Sequence, residues 1–244
     1  MKISLVTDIG QKRSNNQDFI NKFDNKNGIT LVILADGMGG HKNGEVASSI
    51  AITSIGKRFL KTSTVGNKED AINFIKEIVS EANIGLYKYT QENPESNGMG
   101  TTIVLALLTK DFLLFGNIGD SSGFVIKNGK MYKITNDHTL VNLLVKSGEL
   151  TKEEAKDHPR KNVLMRALGA NMTVEMDIFD VETDVEGILL CSDGLTNMLE
   201  VEQIERVLNS TLTIDEKLQK LILKSNNRGG TDNISVAYLT KEVN

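Results

Sequence analysis

Leu31-Val32-Ile33-Leu34-Ala35-Asp36-Gly37-Met38-Gly39-Gly40-His41 opens with five apolar residues and then turns on an aspartate in a glycine-rich stretch. An uninterrupted apolar run of this length, bounded by turn signals, reads as a buried strand. The pattern returns three times. Phe112–Phe115 leads through Gly116 to Gly119-Asp120, and Ile188–Ser192 runs into Asp193-Gly194. In reverse order, Gly229-Gly230-Thr231-Asp232 opens onto Ile234–Ala237. Carboxylates at the ends of buried strands are held rigidly and can meet at the rim of a sheet. Several of them in one place repel each other unless a cation lies among them, so the pattern points to a hard-metal site.

Working outward, strands are expected at 3–7, 101–108, 112–118, 123–127, 130–134, 174–181, 187–192 and 233–240. Tight turns at Asn27-Gly28 and Asn128-Gly129 precede the 31–35 and 130–134 strands. Helices are expected over 44–61, where Ala47, Ala51, Ile55 and Phe59 recur every fourth residue, and over 68–90 behind an Asn67 cap. A short helix is expected at 139–146, and Thr-x-x-Glu boxes mark further helix starts at Thr151 and Thr213. This order lacks the strict strand–helix alternation of a parallel sheet. It fits an α+β fold, a four-layer αββα sandwich in which two antiparallel sheets pack face to face between helices. No linker composition divides the 244 residues, so one catalytic domain, 1–244, is expected. The polar stretch 142–168 would be a flap within it.

Composition narrows the function. A net charge of −4, from 28 basic and 32 acidic residues well interspersed, leaves no basic face for nucleic acid. No apolar run is long enough for a membrane helix, and the short start Met1–Val6 followed by Asp8 does not read as a signal peptide. The lone Cys191 cannot form an internal disulfide and sits in an apolar run, as a core residue would. A monomeric cytoplasmic protein is expected.

In Asp8-x-Gly10-x-x-Arg13-x-x-Asn16-Gln17-Asp18, Arg13 offers the planar fork that suits a phosphate, although a surface ion pair is the commoner role for such a residue. At Asp36-Gly37 the glycines let a backbone carbonyl approach an ion. His41 is the one histidine expected near the acidic cluster, as a proton donor or a surface residue. Zinc is disfavoured, because no second His or Cys lies at ligand spacing, and an oxygen-rich set suits Mg²⁺ or Mn²⁺.

Seven motifs, in order, carry a family resemblance. They are Asp8–Asp18, Asp36-Gly-Met-Gly-Gly-His41, Gly98-Met-Gly-Thr-Thr102, Gly119-Asp-Ser121, Asp137-His-Thr-Leu140, Ser192-Asp-Gly-Leu195 and Gly229-Gly-Thr-Asp-Asn233. The chain resembles the protein phosphatase 2C family, the metal-dependent Ser/Thr phosphatases, in its compact bacterial form. The resemblance implies two Mn²⁺ or Mg²⁺ ions. Asp36 would bridge them, the Gly37 carbonyl would face the second, Asp193 and Asp232 would complete the first, and Asp18 would act near the second through water. Asp120 with Asp193 matches a third, weaker ion position, and Arg13 matches the arginine that holds substrate phosphate. Phosphorylated proteins and a cognate Ser/Thr kinase would be the partners. The sequence departs from the pattern at Ser122, where bacterial members usually carry arginine, and at Met38, where animal members carry histidine. Other readings of the same cluster are a phosphatase of anti-anti-sigma-type targets, a two-metal phosphodiesterase, and a phosphoprotein-binding pseudophosphatase.

Overall fold

The computed structural model describes residues 1–39 and 43–241. In chain order the elements are β1 (Lys2–Asp8), β2 (Asp18–Asp24), β3 (Thr30–Met38), α1 (Asn43–Leu60), α2 (Lys68–Glu92), β4 (Gly100–Thr101), β5 (Ile103–Leu108), β6 (Leu113–Ile118) and β7 (Ser122–Lys127). Then follow β8 (Lys130–Lys133), α3 (Leu140–Lys146), α4 (Lys152–Lys156), β9 (Asp177–Val181), β10 (Gly187–Cys191), α5 (Asp193–Thr196), α6 (Val201–Leu208), α7 (Ile214–Asn227) and β11 (Ile234–Thr240). One sheet has the order β1-β11-β10-β7-β8, and the other β2-β3-β5-β6-β9 with β4 paired to β3. Every pairing is antiparallel.

The layering follows from the two-residue period of a strand. In β3, Leu31, Ile33 and Ala35 face the helices α1 and α2, where they meet Ile52, Ile55, Phe59 and Leu86. Val32 and Leu34 face the opposite sheet and pack with Val104, Phe115, Ile188, Leu190, Ala237 and Leu239. On the far side, Leu189, Cys191, Val236 and Tyr238 pack under Ile204, Leu218 and Leu221 of α6 and α7. Helices, sheet, sheet and helices thus form the four layers expected from the sequence. A strand that must satisfy two apolar neighbours shows no polar alternation, which is why the opening motif is continuously hydrophobic. Each Leu- or Ile-sized side chain buried there contributes about 1.5–3 kcal/mol.

Local signals hold where they were read. Asn67, Thr151 and Thr213 each close a capping box. Asn128 and Gly129 both take positive φ, 53° and 69°, as a two-residue hairpin turn between β7 and β8 requires. Three elements lie outside those expected, among them the single helical turn α5. Strand β2 is a half-buried edge in which Asn21 and Lys22 interrupt Phe19, Ile20 and Phe23, so its apolar signal is short and broken. Helix α6 is only eight residues long, but Val201, Ile204, Val207 and Leu208 have helical spacing behind a box closed by Glu200 and Gln203.

Candidate active site at one end of the sandwich

Antiparallel register gathers the aspartates. Asp18 opens β2 directly opposite Asp36 in β3. Asp193 follows β10, and Asp232 precedes β11, whose Val236 pairs with Cys191 at the end of β10. Asp120 follows β6, whose last residue Ile118 pairs with Ile103 at the start of β5. Strand ends and strand starts alternate along each sheet, so all five carboxylates fall on one rim. Asp36, Gly37, Asp120, Asp193 and Asp232 line a single cleft of about 320 Å³, together with Arg13, Gln17, Thr102, Asn162 and Leu164. Asp18 lies just beneath it, 6% exposed. A larger groove of about 510 Å³ on the flank, bounded by Val125, Tyr132, Phe179 and Val185, has no such convergence of carboxylates.

Backbone bonds fix these side chains. The Asp36 N–H donates to Thr102 Oγ1 (2.9 Å), and the Thr102 hydroxyl also meets Ser121 Oγ at 2.7 Å. The strands that carry Asp36 and Asp120 are thereby linked. Gly37 is wedged in place, because a Cβ there would stand 2.0 Å from the Gly44 carbonyl oxygen and 2.6 Å from that of Gln17. Only glycine lets the chain pass at this point. The loop that carries Arg13 is stitched down by Asn233. Its Oδ1 accepts from the Gln17 N–H (2.8 Å), and its Nδ2 donates to the carbonyls of Ile9 (2.8 Å) and Asn15 (3.0 Å).

Arg13 Nη2 donates to Asp232 Oδ2 at 2.7 Å, with the arginine side chain 47% exposed. Arg13 therefore does form an ion pair, but its partner is a cleft carboxylate and its fork lies at the cleft mouth.

The electrostatics are strained. Burial, reinforced by neighbouring carboxylates, raises the pKa of Asp18 and of Asp120 to about 7 and that of Asp193 to about 6. Asp36 is raised well above the usual carboxylate range, first by burial and then by Asp18, Asp193, Asp120 and Asp232. Asp18 Oδ2 accepts from Ser192 Oγ (2.7 Å) and Asp193 Oδ2 accepts from Asn197 Nδ2 (3.0 Å). The remaining oxygens, Asp18 Oδ1 and Asp193 Oδ1, are buried without a hydrogen-bond partner. Among the described residues no three acidic, His or Cys side chains already enclose a common point. The carboxylates share a cleft without forming a finished cage. Orphaned, mutually repelling carboxylate oxygens form an all-oxygen donor set, which fits Mg²⁺ or Mn²⁺.

The family model for protein phosphatase 2C matches residues 10–224. The chain belongs to the protein phosphatase 2C family. Among relatives of this phosphatase, the serine/threonine phosphatase stp of Listeria monocytogenes is 39% identical over 244 residues, covering 100% of this chain and 97% of its own length. Protein phosphatase PhpP of Streptococcus pneumoniae is 38% identical, covering 98% and 97%. In structure, the S. agalactiae serine/threonine phosphatase superposes with a TM-score of 0.94 at 42% identity, over 99% of both chains. The Mycobacterium tuberculosis phosphatase PstP/Ppp gives 0.86 at 32%, also over 99% of both. By class this protein phosphatase 2C is a protein-serine/threonine phosphatase.

Several expectations are refined. His41 lies outside the described residues. Among the described residues the ring of His138 touches Gly119, the neighbour of Asp120, with Nδ1 accepting the Gly119 N–H at 3.1 Å. Burial lowers the pKa of His138 and favours its neutral ring. Ser122, at the position where arginine is usual, is 1% exposed, and its hydroxyl has no partner. Cys191 is fully buried and burial pushes its thiol up to about 12, as suits an inert core residue. Thr102, Asn233 and His138 stand in the motifs Gly98–Thr102, Gly229–Asn233 and Asp137–Leu140, but nothing in residue type or spacing gives them a task. Asn162 and Leu164, inside the 142–168 stretch, reach the cleft through contacts that no local pattern encodes.

Proposed function

We propose that this phosphatase hydrolyses phosphoserine and phosphothreonine in proteins with the aid of two Mn²⁺ or Mg²⁺ ions. The reading rests on the buried, partnerless Oδ1 atoms of Asp18 and Asp193 at a cleft shared with Asp36, Asp120 and Asp232. Asp36, the Gly37 carbonyl, Asp193 and Asp232 would hold the two ions, Asp18 would assist from beneath the cleft, and Asp120 with Asp193 would offer a third, weaker position. Bound divalent ions would supply a water acidified toward neutrality and counter-charge for the phosphoryl oxygens.

The chain's own residues do the rest. Arg13, whose fork lies at the cleft mouth, binds the substrate phosphate. His41 is proposed, from the sequence, as the donor of a proton to the leaving serine or threonine oxygen. No side-chain nucleophile is needed, and Cys191 is walled off from the cleft. The stretch 142–168 is read as a flap of the single catalytic domain, bringing Asn162 and Leu164 to the substrate. A monomer acting on phosphoproteins in the cytoplasm against a cognate Ser/Thr kinase completes the proposal. No described helix is long and apolar enough to cross a membrane.

The test is hydrolysis of a phosphothreonine peptide with and without Mn²⁺ by the wild type and by Asp193→Asn. Mn²⁺-dependent release of phosphate by the wild type alone is expected. Full Mn²⁺-dependent turnover by Asp193→Asn would overturn the assignment.

A further inference from the structure

Asp120 is carried by a peptide with little steric support of its own. Gly119 takes φ 101°, and a Cβ there would strike Thr102 Cγ2 at 2.6 Å, so the position is confined to glycine. What holds this peptide is Asn117, whose Nδ2 donates to the Gly119 carbonyl at 3.3 Å, and His138, which is 9% exposed. Its N–H donates to the Gly119 carbonyl (2.9 Å), and its Nδ1 accepts the Gly119 N–H (3.1 Å). Both polar groups of the glycine are therefore gripped by one residue.

The ring is itself aimed. Because Nδ1 is the acceptor, the ring proton sits on Nε2, which faces Asp177 Oδ2 at 3.3 Å. Arg166 Nη1 donates to the other oxygen of Asp177 at 2.8 Å and fixes that carboxylate in turn. On the backbone side, the His138 carbonyl accepts from the Met165 N–H (2.7 Å), next to Leu164 of the cleft lining.

We propose that His138 is a positioning residue that sets the Asp120 carboxylate for divalent-ion binding by gripping the Gly119 peptide through Nδ1. The proposal rests on the cleft being a divalent-ion site. A histidine that merely fills space would have no need of a fixed tautomer, a carboxylate partner for Nε2, or a ring bond to the residue that precedes a cleft aspartate. Groups that orient a metal-binding side chain typically change metal affinity 10–100-fold when removed.

Amide side chains separate the two ring nitrogens. Asn places its Oδ1 where Nδ1 stands, and Gln places its terminal N–H where Nε2–H stands. The experiment is a calorimetric titration of Mn²⁺ into the metal-free full chain, for wild type, His138→Asn, His138→Gln and Asp177→Ala. A thermal melt of each metal-free protein accompanies it. In His138→Gln the weakest class of Mn²⁺ site is expected to lose roughly 10–100-fold in affinity. His138→Asn, which keeps the Gly119 bond, should stay within about threefold of wild type. Asp177→Ala, which frees the ring, should fall between them, and phosphopeptide turnover should need correspondingly more Mn²⁺. Equal losses in the Asn and Gln variants, or none in Gln, would overturn the proposal while leaving the phosphatase assignment standing. If His138→Gln shows no cooperative melt, Asp177→Ala decides alone, and unchanged affinity there overturns it. A wild type that binds no Mn²⁺ would overturn this proposal together with the reading beneath it.

Discussion

Replacing Asp193 by Asn should abolish Mn²⁺-dependent activity and yet make the metal-free protein more stable. In the metal-free fold Asp193 titrates near 6 instead of 3.8, chiefly because it is buried and secondarily because of Asp232. A carboxyl whose folded pKa is raised destabilises the fold wherever it is ionised. The penalty is absent below the unfolded pKa, grows between the two values, and is complete above the folded one. A gap of about two units corresponds to roughly 3 kcal/mol at pH 8 and about half of that at pH 5. The carboxylate lines a cleft open to water, so about 1–3 kcal/mol is the reasonable range at pH 8. Asn keeps an oxygen to accept from Asn197 Nδ2 and removes the charge that its neighbours repel. For a chain of this length each kcal/mol moves the midpoint by about 2–4 °C, so metal-free Asp193→Asn should melt several degrees above metal-free wild type at pH 8. The gain should shrink at pH 5. Added Mn²⁺ should raise the wild-type midpoint well beyond that of the variant, since an ion bound only by the folded state stabilises it by mass action. Calorimetric melts at the two pH values, with chelator and with Mn²⁺, make the measurement. A metal-free variant less stable than wild type at pH 8, or one with an undiminished Mn²⁺ shift, would refute the reasoning.

Thr102→Val should cost about 1–3 kcal/mol in urea unfolding, because it leaves the Asp36 N–H without its hydroxyl acceptor and parts Asp36 from Ser121, while Thr102→Ser should restore most of it. Gly37→Ala should lose about 2 kcal/mol or more, or fail to fold, since its Cβ meets the backbone of Gly44; a variant of wild-type stability would mean that the local chain moves aside freely. Arg13→Ala should raise KM for a phosphopeptide severalfold, and an unchanged KM would leave Arg13 no task beyond its pair with Asp232. Cys191 should resist iodoacetamide in the native protein at pH 8 and react only after unfolding, as intact-mass measurement would show.

How much of this was legible in the sequence depends on what each residue must satisfy. Asp36, Asp120, Asp193 and Asp232 were conspicuous because a charged residue at the end of an apolar run breaks a strong local rule, and such breaks concentrate where a fold does chemistry. The β3 run was legible for the complementary reason: with helices on one face and a sheet on the other, it has no place for a polar residue. Strand β2 was not legible. At the edge of its sheet it faces water along part of its length, and Asn21 and Lys22 dilute its pattern. The fasteners are a third kind. Asn233 is joined to Gln17 over 216 positions, and Thr102 to Asp36 over 66. Polar side chains of that sort satisfy buried backbone groups that exist only after the sheets have met, so no local window can reveal their partners.

This difference bears on how the cleft can work. Each cleft carboxylate lies at or near the end of a strand fixed by apolar packing on one or both faces, but, Asp193 with its neighbour Asn197 apart, the polar groups that hold it come from distant parts of the chain. Asp36 depends on Thr102, Asp18 on Ser192, the Arg13 loop on Asn233, and Asp120 on His138 through Gly119. The apolar layers tolerate small changes in volume, at a cost of about 1.5 kcal/mol or less for a volume-conserving swap. The polar fasteners have no such latitude, since a lost bond leaves a buried donor or acceptor unmatched beside an already repelling set of charges. Substitutions in the sandwich core should therefore lower stability and leave metal affinity unchanged for as long as the folded fraction stays near one. Substitutions at the fasteners should lower metal affinity even in a fully folded protein. Measuring Mn²⁺ affinity and metal-free midpoint for Val104→Ala, Leu190→Ala, Thr102→Val and His138→Gln, at a temperature where each is folded, separates the cases: the first pair should keep wild-type affinity at a lowered midpoint, and the second pair should lose affinity. Wild-type affinity in all four would mean that the fasteners serve the fold and not the site.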